Sequence, residues 1–259
     1  NSRKIKNIDD QETAEWLKNT ENLINKSKNI KVLKDTLVTT YNFKDHLIAI
    51  EDKSIESAPA SYKPELALHK IRTKHTILSN GHIERFISFR NNDLPGVMLA
   101  SSFEKYIHRY GVVPESKPII FTNNSSTFSL VKSLVDLGCK PLAYIDNRND
   151  SSIGKDTLDF LKNNNIKTYT SAEVEGCDGG SMLKQVSIRD DKKNIIKIKT
   201  SMLCVSGGIN PDVHLFTQSK GLIKWDANYL TFKPDSPFQN TITLGSVSGN
   251  FSYQKINEE

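Results

Sequence analysis

Between Pro118 and Asp146 the hydrophobic pattern changes its period twice. PIIFT (118–122) is a short continuous apolar run, the pattern of a strand buried on both faces. Leu130, Val131, Leu134 and Val135 then recur at helical spacing, and Gly138 stands where a helix stops. PLAYI (141–145) is a second apolar run, closed by Asp146. The pattern predicts a strand–loop–helix–strand unit. An acidic residue at the end of its second strand stands where a dinucleotide fold places the carboxylate that bonds a ribose hydroxyl. The intervening loop, Thr122-Asn123-Asn124-Ser125-Ser126, has no glycine. A pyrophosphate-binding turn is glycine-rich because the backbone itself approaches the phosphates. Ser125 or Ser126 is the expected N-cap. The other reading is an α/β unit that keeps the architecture without the nucleotide.

The same patterning predicts the rest of the chain. A helix is expected over 9–26, with Asp9 and Glu12 as a capping box and Trp16, Leu17, Leu23 and Ile24 as its apolar face. Strands follow near 30–43, 46–52 and 66–78, with a loop at 54–65 and a turn at Ser79-Asn80-Gly81. Leu94-Pro95-Gly96 forces a turn. Leu99, Phe103, Tyr106, Ile107 and Tyr110 then share a helix face that Gly111 ends. Beyond Asp146, a helix near 154–164 and a strand at 166–170 lead to a β-meander of QVSIRDD, NIIKIKTS and MLCVSGG. Gly207-Gly208 and Asn210-Pro211 mark the exit, and strand-like runs return in LIKWDANYLTF and TITLGSVSGNF. This order predicts a nested arrangement: residues 1–113 and 206–259 as an outer domain, with an α/β domain at 114–205 inserted in it.

Composition narrows the classes. With 37 % hydrophobic and 25 % charged residues in 259 positions, the chain can bury a core and make one large or two ordinary domains. Its net charge of +5 comes from 35 basic and 30 acidic residues spread along the chain rather than clustered, so no nucleic-acid partner is expected. Cys139, Cys177 and Cys204 are far apart and odd in number, which argues against a disulfide framework and shows no zinc spacing. No apolar run approaches the length of a membrane span. A cytoplasmic protein with no membrane and no metal is the expectation.

The string LPGVMLASSFEKYIHRYGVVPESKPIIFTNNSSTFSLVKSLVDLGCKPLAYIDNR resembles the central part of the alpha subunit of heterotetrameric sarcosine oxidases. SNGHIERFISFRNND before it, and VSGGINPDVHLFTQSKGLIKWD and TLGSVSGNF after it, resemble that subunit as well. The resemblance implies an α/β, two-dinucleotide-binding-domain fold like that of flavoprotein disulfide reductases. A Rossmann-like domain is inserted, and the amino-terminal first strand is missing. It implies tightly held NAD, an FMN shared at the interface with the beta subunit, and FAD on that beta subunit. The gamma and delta subunits are further implied partners. The implied reaction is oxidative demethylation of sarcosine to glycine, giving peroxide and formaldehyde or methylenetetrahydrofolate, with the catalytic residues on the beta subunit. Two departures stand out: no G-x-G-x-x-G occurs in the chain, and the folate domain of that subunit has no counterpart. Related readings are an opine oxidase or cyanide synthase subunit and, in another class, a non-catalytic assembly module that binds no nucleotide.

By that resemblance Ser79, Asn80 and Gly81 stand at a strand end near the dinucleotide. Thr36, Leu37 and Val38 match the strand that meets the adenine, and Gly245 and Ser246 are placed for a phosphate or ribityl contact. Asn123, Asn124 and Asp146 are candidates in the inserted domain. His82 and His214 read as surface or satisfied histidines, Cys204 as a small core residue, and Asp190-Asp191 as a turn. No catalytic residue is assigned.

Overall fold

The computed structural model describes residues 7–8, 11–54, 65–113 and 116–251. Asp9 of the expected capping box and most of the expected loop at 54–65 lie outside them. The chain forms two compact units, Asn1–Gly81 with Pro211–Glu259, and His82–Asn210. The expected boundary at 113/114 falls inside the second unit. The reason is Val97–Leu99, which pairs in parallel with Leu203–Ser206 and so belongs to the inner sheet. The return crossing comes at 210/211 rather than 205/206.

In the second unit five strands make one parallel sheet, in the order Lys167–Tyr169, Ala143–Asp146, Ile119–Thr122, Leu203–Ser206, Val97–Leu99. Every residue of the three central strands is buried, as a parallel sheet covered on both faces requires. Ile119, Phe121, Ala143, Ile145, Leu203 and Val205 point to one face, against Val174, Val186 and Ile188 of an antiparallel meander. Ile120, Tyr144 and Cys204 point to the other, against the helices that carry Phe103, Ile107, Leu130, Leu134 and Leu161. MLCV was expected in the meander. Leu203–Ser206 runs instead inside the parallel sheet, between Ile119–Thr122 and Val97–Leu99, and Glu173–Asp178 joins Gln185–Arg189 and Ile195–Lys199 in the meander.

The helix Ala100–Tyr110 buries Ala100, Phe103 and Ile107. Tyr106 and Tyr110, expected on that face, are 47 % and 60 % exposed, with their rings in tilted contact at 5.8 Å. Gly111 ends the helix at φ 67°, and its N–H donates to the Ile107 carbonyl at 3.2 Å while Val112 N–H donates to Tyr106 O at 3.1 Å. Phe128–Asp136 buries Leu130, Val131 and Leu134 as the spacing predicts, but Thr127 and not a serine is its N-cap.

In the first unit Thr36–Asn42, His46–Asp52 and Leu66–Arg72 form an antiparallel meander. Its inner face brings Tyr41, Leu47, Val38 and Ile71 onto Leu78 and Phe216. The single strand expected at 66–78 breaks at 73–75. Thr76–Leu78 leaves the meander and pairs in parallel with Thr241–Thr243. The buried Tyr41 hydroxyl bonds Thr241 Oγ1 at 2.8 Å and fixes the meander to this pair. Leu17 and Leu23 of the helix Thr13–Lys26 are exposed, so the expected apolar face of that helix is not buried as a whole.

Candidate functional site

At the carboxyl edge of the inner sheet the three central strands end on Asp146, Thr122 and Ser206, paired in register and all fully buried. Ligands of open α/β sheets collect at such an edge. Here the chain's own side chains fill the row. Asn124 Nδ2 donates to the Ser206 carbonyl at 3.1 Å and to Ser206 Oγ at 3.2 Å. Its Oδ1 accepts the Ser126 N–H at 2.9 Å, and its backbone N–H donates to Thr122 Oγ1 at 3.1 Å. Asn123 N–H donates to Ser206 O. These are amides that a glycine-rich turn would leave for a phosphate.

Asp146 is closed in the same way. Arg148 donates from its backbone N–H to Asp146 Oδ1 at 2.9 Å, from Nε to Oδ1 at 3.0 Å, and from Nη2 to Oδ2 at 2.8 Å. That hydrogen bonding holds the Arg148 guanidinium above its usual pKa. Arg148 Nη1 also reaches Ser125 Oγ at 3.2 Å, so the basic group spans from strand end to loop. A carboxylate with both oxygens on one guanidinium has its strongest acceptor sites taken.

The outer unit presents a different edge. Ser79-Asn80-Gly81 follows Thr76–Leu78, and Gly245-Ser246 follows the adjacent parallel strand Thr241–Thr243. Leu244 N–H donates to Leu78 O at 3.0 Å and carries the pairing to the strand ends. Gly81 (φ 90°) and Gly245 (φ 74°) are both in the left-handed region. A Cβ built on Gly81 would have Ser246 Oγ as its nearest neighbour, at 3.9 Å, so this position is open and faces the serine. The structure therefore brings Gly81 and Ser246 together.

Asn80 has a structural task. Its Nδ2 donates to the Asp212 carbonyl at 2.7 Å, and Asp212 N–H donates back to Gly81 O at 3.1 Å. Asp212 in turn meets His214, Nδ1 to Oδ1 at 2.6 Å. Burial pushes the Asp212 carboxyl up, but hydrogen bonds from His214 and Asn80 outweigh it and leave the group below its ordinary value. The His214 ring is largely exposed.

Thr36, Leu37 and Val38 lie on the first strand of the meander. Thr36 Oγ1 donates to Lys34 O at 2.7 Å, Leu37 is exposed, and Val38 packs into the core. Immediately before Thr36 a cleft of about 320 Å³ opens among Ile24, Ile30, Val32, Asp35, Glu51 and Asp52. It does not include Gly81 or Ser246.

Burial raises the Cys204 thiol and pushes Cys177 up to about 11, so neither is a thiolate at neutral pH. Among the described residues no group of three or more His, Cys, Asp or Glu is placed to hold a metal. No helix among them is long and apolar enough to cross a membrane.

No family model matches the chain. It is 30 % identical over 254 residues to the sarcosine oxidase subunit alpha of Corynebacterium sp. (strain U-96), covering 93 % of this chain and 26 % of that protein. The Rhizobium meliloti (strain 1021) subunit alpha is 28 % identical over 229 residues, covering 87 % and 22 %. This chain resembles a portion of a sarcosine oxidase alpha subunit. It spans about a quarter of the length of these relatives. Among solved structures, thioredoxin reductase from T. acidophilum superposes with a TM-score of 0.64 at 13 % identity, over 95 % of this chain and 76 % of that one. L-Proline dehydrogenase from P. horikoshii gives 0.61 at 17 %, over 94 % and 42 %. The fold is the two-dinucleotide-binding-domain fold of disulfide-reductase-like flavoproteins, with a Rossmann-like inserted unit.

Proposed function

We propose that this chain is the nucleotide-holding portion of an oxidoreductase subunit of the sarcosine oxidase alpha type. The observation that carries this reading is the contrast between the two carboxyl edges. Gly81 and Gly245 end adjacent parallel strands in conformations that let backbone approach a phosphate, and Gly81 opens toward the Ser246 hydroxyl. The inner edge is filled by Asn124 and Arg148. One dinucleotide, NAD, belongs to the outer edge, with Ser79–Gly81 and Gly245-Ser246 beside its phosphates and Thr36–Val38 toward its adenine. Asn80 acts there by holding Asp212, not by direct contact. We read the inner unit as architecture that binds no nucleotide.

In this reading the chain's residues bind and orient; they transfer no proton and make no covalent bond. NAD, when bound, supplies a nicotinamide ring held tightly without evident turnover. The FMN interface, the FAD-bearing beta subunit, the gamma and delta partners, a cytoplasmic setting and the oxidation of sarcosine to glycine are parts of the same proposal. The resemblance to the named alpha subunits supports them. The test is calorimetric titration with NAD alongside Gly81→Val, whose side chain would occupy the space between Gly81 and Ser246. Saturable binding that Gly81→Val abolishes is the expected result. Binding unaffected by that change would refute the placement.

A further inference from the structure

Asn80-Gly81 is the one place in the chain where glycine follows asparagine. That order opens an asparagine to attack by its own backbone. The amide nitrogen of the next residue reaches the side-chain carbonyl carbon and closes a five-membered ring, and a Cβ on that residue obstructs the approach. Glycine has none.

The structure leaves this pair poised. Asn80 is exposed, so solvent hydroxide reaches the turn. Among the described residues no acceptor takes the Gly81 N–H, so the attacking nitrogen is not tied into a hydrogen bond. The turn is held by a latch: Asn80 Nδ2 donates to the Asp212 carbonyl at 2.7 Å, and Asp212 N–H donates back to Gly81 O at 3.1 Å. An exposed bond between neutral groups contributes little and opens without unfolding the strands around it. Asn124 is the contrasting case. Its Nδ2 is held by Ser206 and its Oδ1 by the Ser126 N–H, which fixes both ends of the amide.

We propose that Asn80-Gly81 is a modification site, at which Asn80 deamidates and releases the turn from Asp212. Gly81 N gives its proton to hydroxide and bonds to Asn80 Cγ. The Cγ–Nδ2 bond breaks, and Nδ2 leaves as ammonia with a proton from water, which regenerates the hydroxide. Water then opens the succinimide. Cleavage at the Cγ–N bond gives aspartate, and cleavage at the bond from the Asn80 backbone carbonyl carbon to that nitrogen gives isoaspartate. No atom is oxidised or reduced. Both products lose the Nδ2 donor and gain a carboxylate beside Asp212, whose own carboxylate Asn80 had also hydrogen-bonded. Isoaspartate further inserts an extra carbon into the main chain ahead of Gly81. The chemistry needs no ligand; its effect on cofactor binding rests on reading the outer edge as the nucleotide site.

The test is peptide mapping by mass spectrometry of the folded chain held in mildly alkaline buffer, with isoaspartate scored enzymatically. Conversion at Asn80 is expected to run about tenfold or more ahead of Asn123, Asn124 and Asn194, whose following residues all carry side chains. It should rise with pH, and Asn80→Gln should abolish it, because the longer side chain closes a less favourable ring. Conversion at Asn80 no faster than at those three asparagines overturns the proposal. So does conversion confined to the urea-unfolded chain, since the latch would then never release in the fold. Asn80→Asp carries one of the two products and should melt below the parent; an unchanged melting temperature would refute the release from Asp212. NAD titration is read separately. Rapid conversion at Asn80 in a chain that binds no NAD supports the modification site and retires the cofactor reading alone.

Discussion

Both carboxylate oxygens of Asp146 are held by one guanidinium, that of Arg148, at 3.0 and 2.8 Å. The two residues are separated by a single position, so the grip is local, yet it decides the chemistry of the whole inner edge. A buried carboxylate at the end of the second strand is where a Rossmann domain reads a ribose. Here the acid already has its partner, and Arg148 continues to Ser125 to close the loop side as well.

Arg148→Ala strands a fully buried carboxylate. Leaving one member of a buried pair unmatched costs about 3–5 kcal/mol, and the partial exposure of Arg148 places the expected loss near the lower end, about 3 kcal/mol. Chemical denaturation measures it. NAD titration of the same variant should be unchanged, since the pair is structural. A loss of NAD affinity with the fold intact would show that the inner edge is a nucleotide site after all.

Two glycines make a ranked prediction. Gly111 has φ 67° with open space around its Cβ position, so Gly111→Ala meets only the backbone cost, about 1 kcal/mol. Gly96 has φ 107°, and a Cβ there would meet the Ser201 carbonyl oxygen at 2.4 Å. Backbone cannot yield as a side-chain tip can. Gly96→Ala should therefore lose on the order of 3 kcal/mol or more. Urea melts of the two variants check the order, and equal losses would contradict it.

Acid should weaken the chain through a definable set of carboxylates. Glu51 is held below its ordinary value chiefly by the hydrogen bond from His69, and Asp226 chiefly by that from Lys233. Depressed folded-state values mean that the unfolded chain binds protons first. Their contribution is present above the ordinary carboxylate range and is lost as the pH falls through the folded values. His69→Leu removes one such partner, so its melting temperature should fall less steeply than that of the parent below about pH 4.5. Parallel melting curves in acid would dismiss the Glu51–His69 contribution.

Local signals were legible where they were local in cause. The strands Ile119–Thr122 and Ala143–Asp146 with the helix between them follow from two buried runs and one helical repeat. Gly111 follows from its need for a left-handed cap. Long-range pairing was less legible. MLCV reads as a buried run, but only the fold decides that it lies beside Ile119–Thr122 and not in the meander. The break at 73–75 depends on Thr76–Leu78 finding a partner more than 150 residues away. Tyr106 and Tyr110 fit a helical stripe, yet the core is satisfied by the smaller arc of Ala100, Phe103 and Ile107.

In the candidate site, the absence of glycine from 122–126 was visible, but its consequence was not. A signal was present in the residue types. Asn and Ser bond neighbouring backbone readily, and an arginine two places after the strand-end acid can turn back onto it. Read together, Asn123-Asn124-Ser125-Ser126 and Asp146-Asn147-Arg148 describe a loop that satisfies itself. Gly81 and Ser246 are 165 residues apart, and their closeness needed the parallel pairing of the strands that precede them.

The central claim is that the outer edge, where Gly81 faces Ser246, holds the nucleotide, while the inner edge is filled from within. The most direct measurement is calorimetric titration of NAD into the parent chain, Gly81→Val and Arg148→Ala under one set of conditions. The account predicts a single saturable site in the parent that raises its melting temperature. That site should be lost in Gly81→Val and retained in Arg148→Ala. Binding that survives Gly81→Val and disappears in Arg148→Ala, or no saturable binding in the parent, would contradict it.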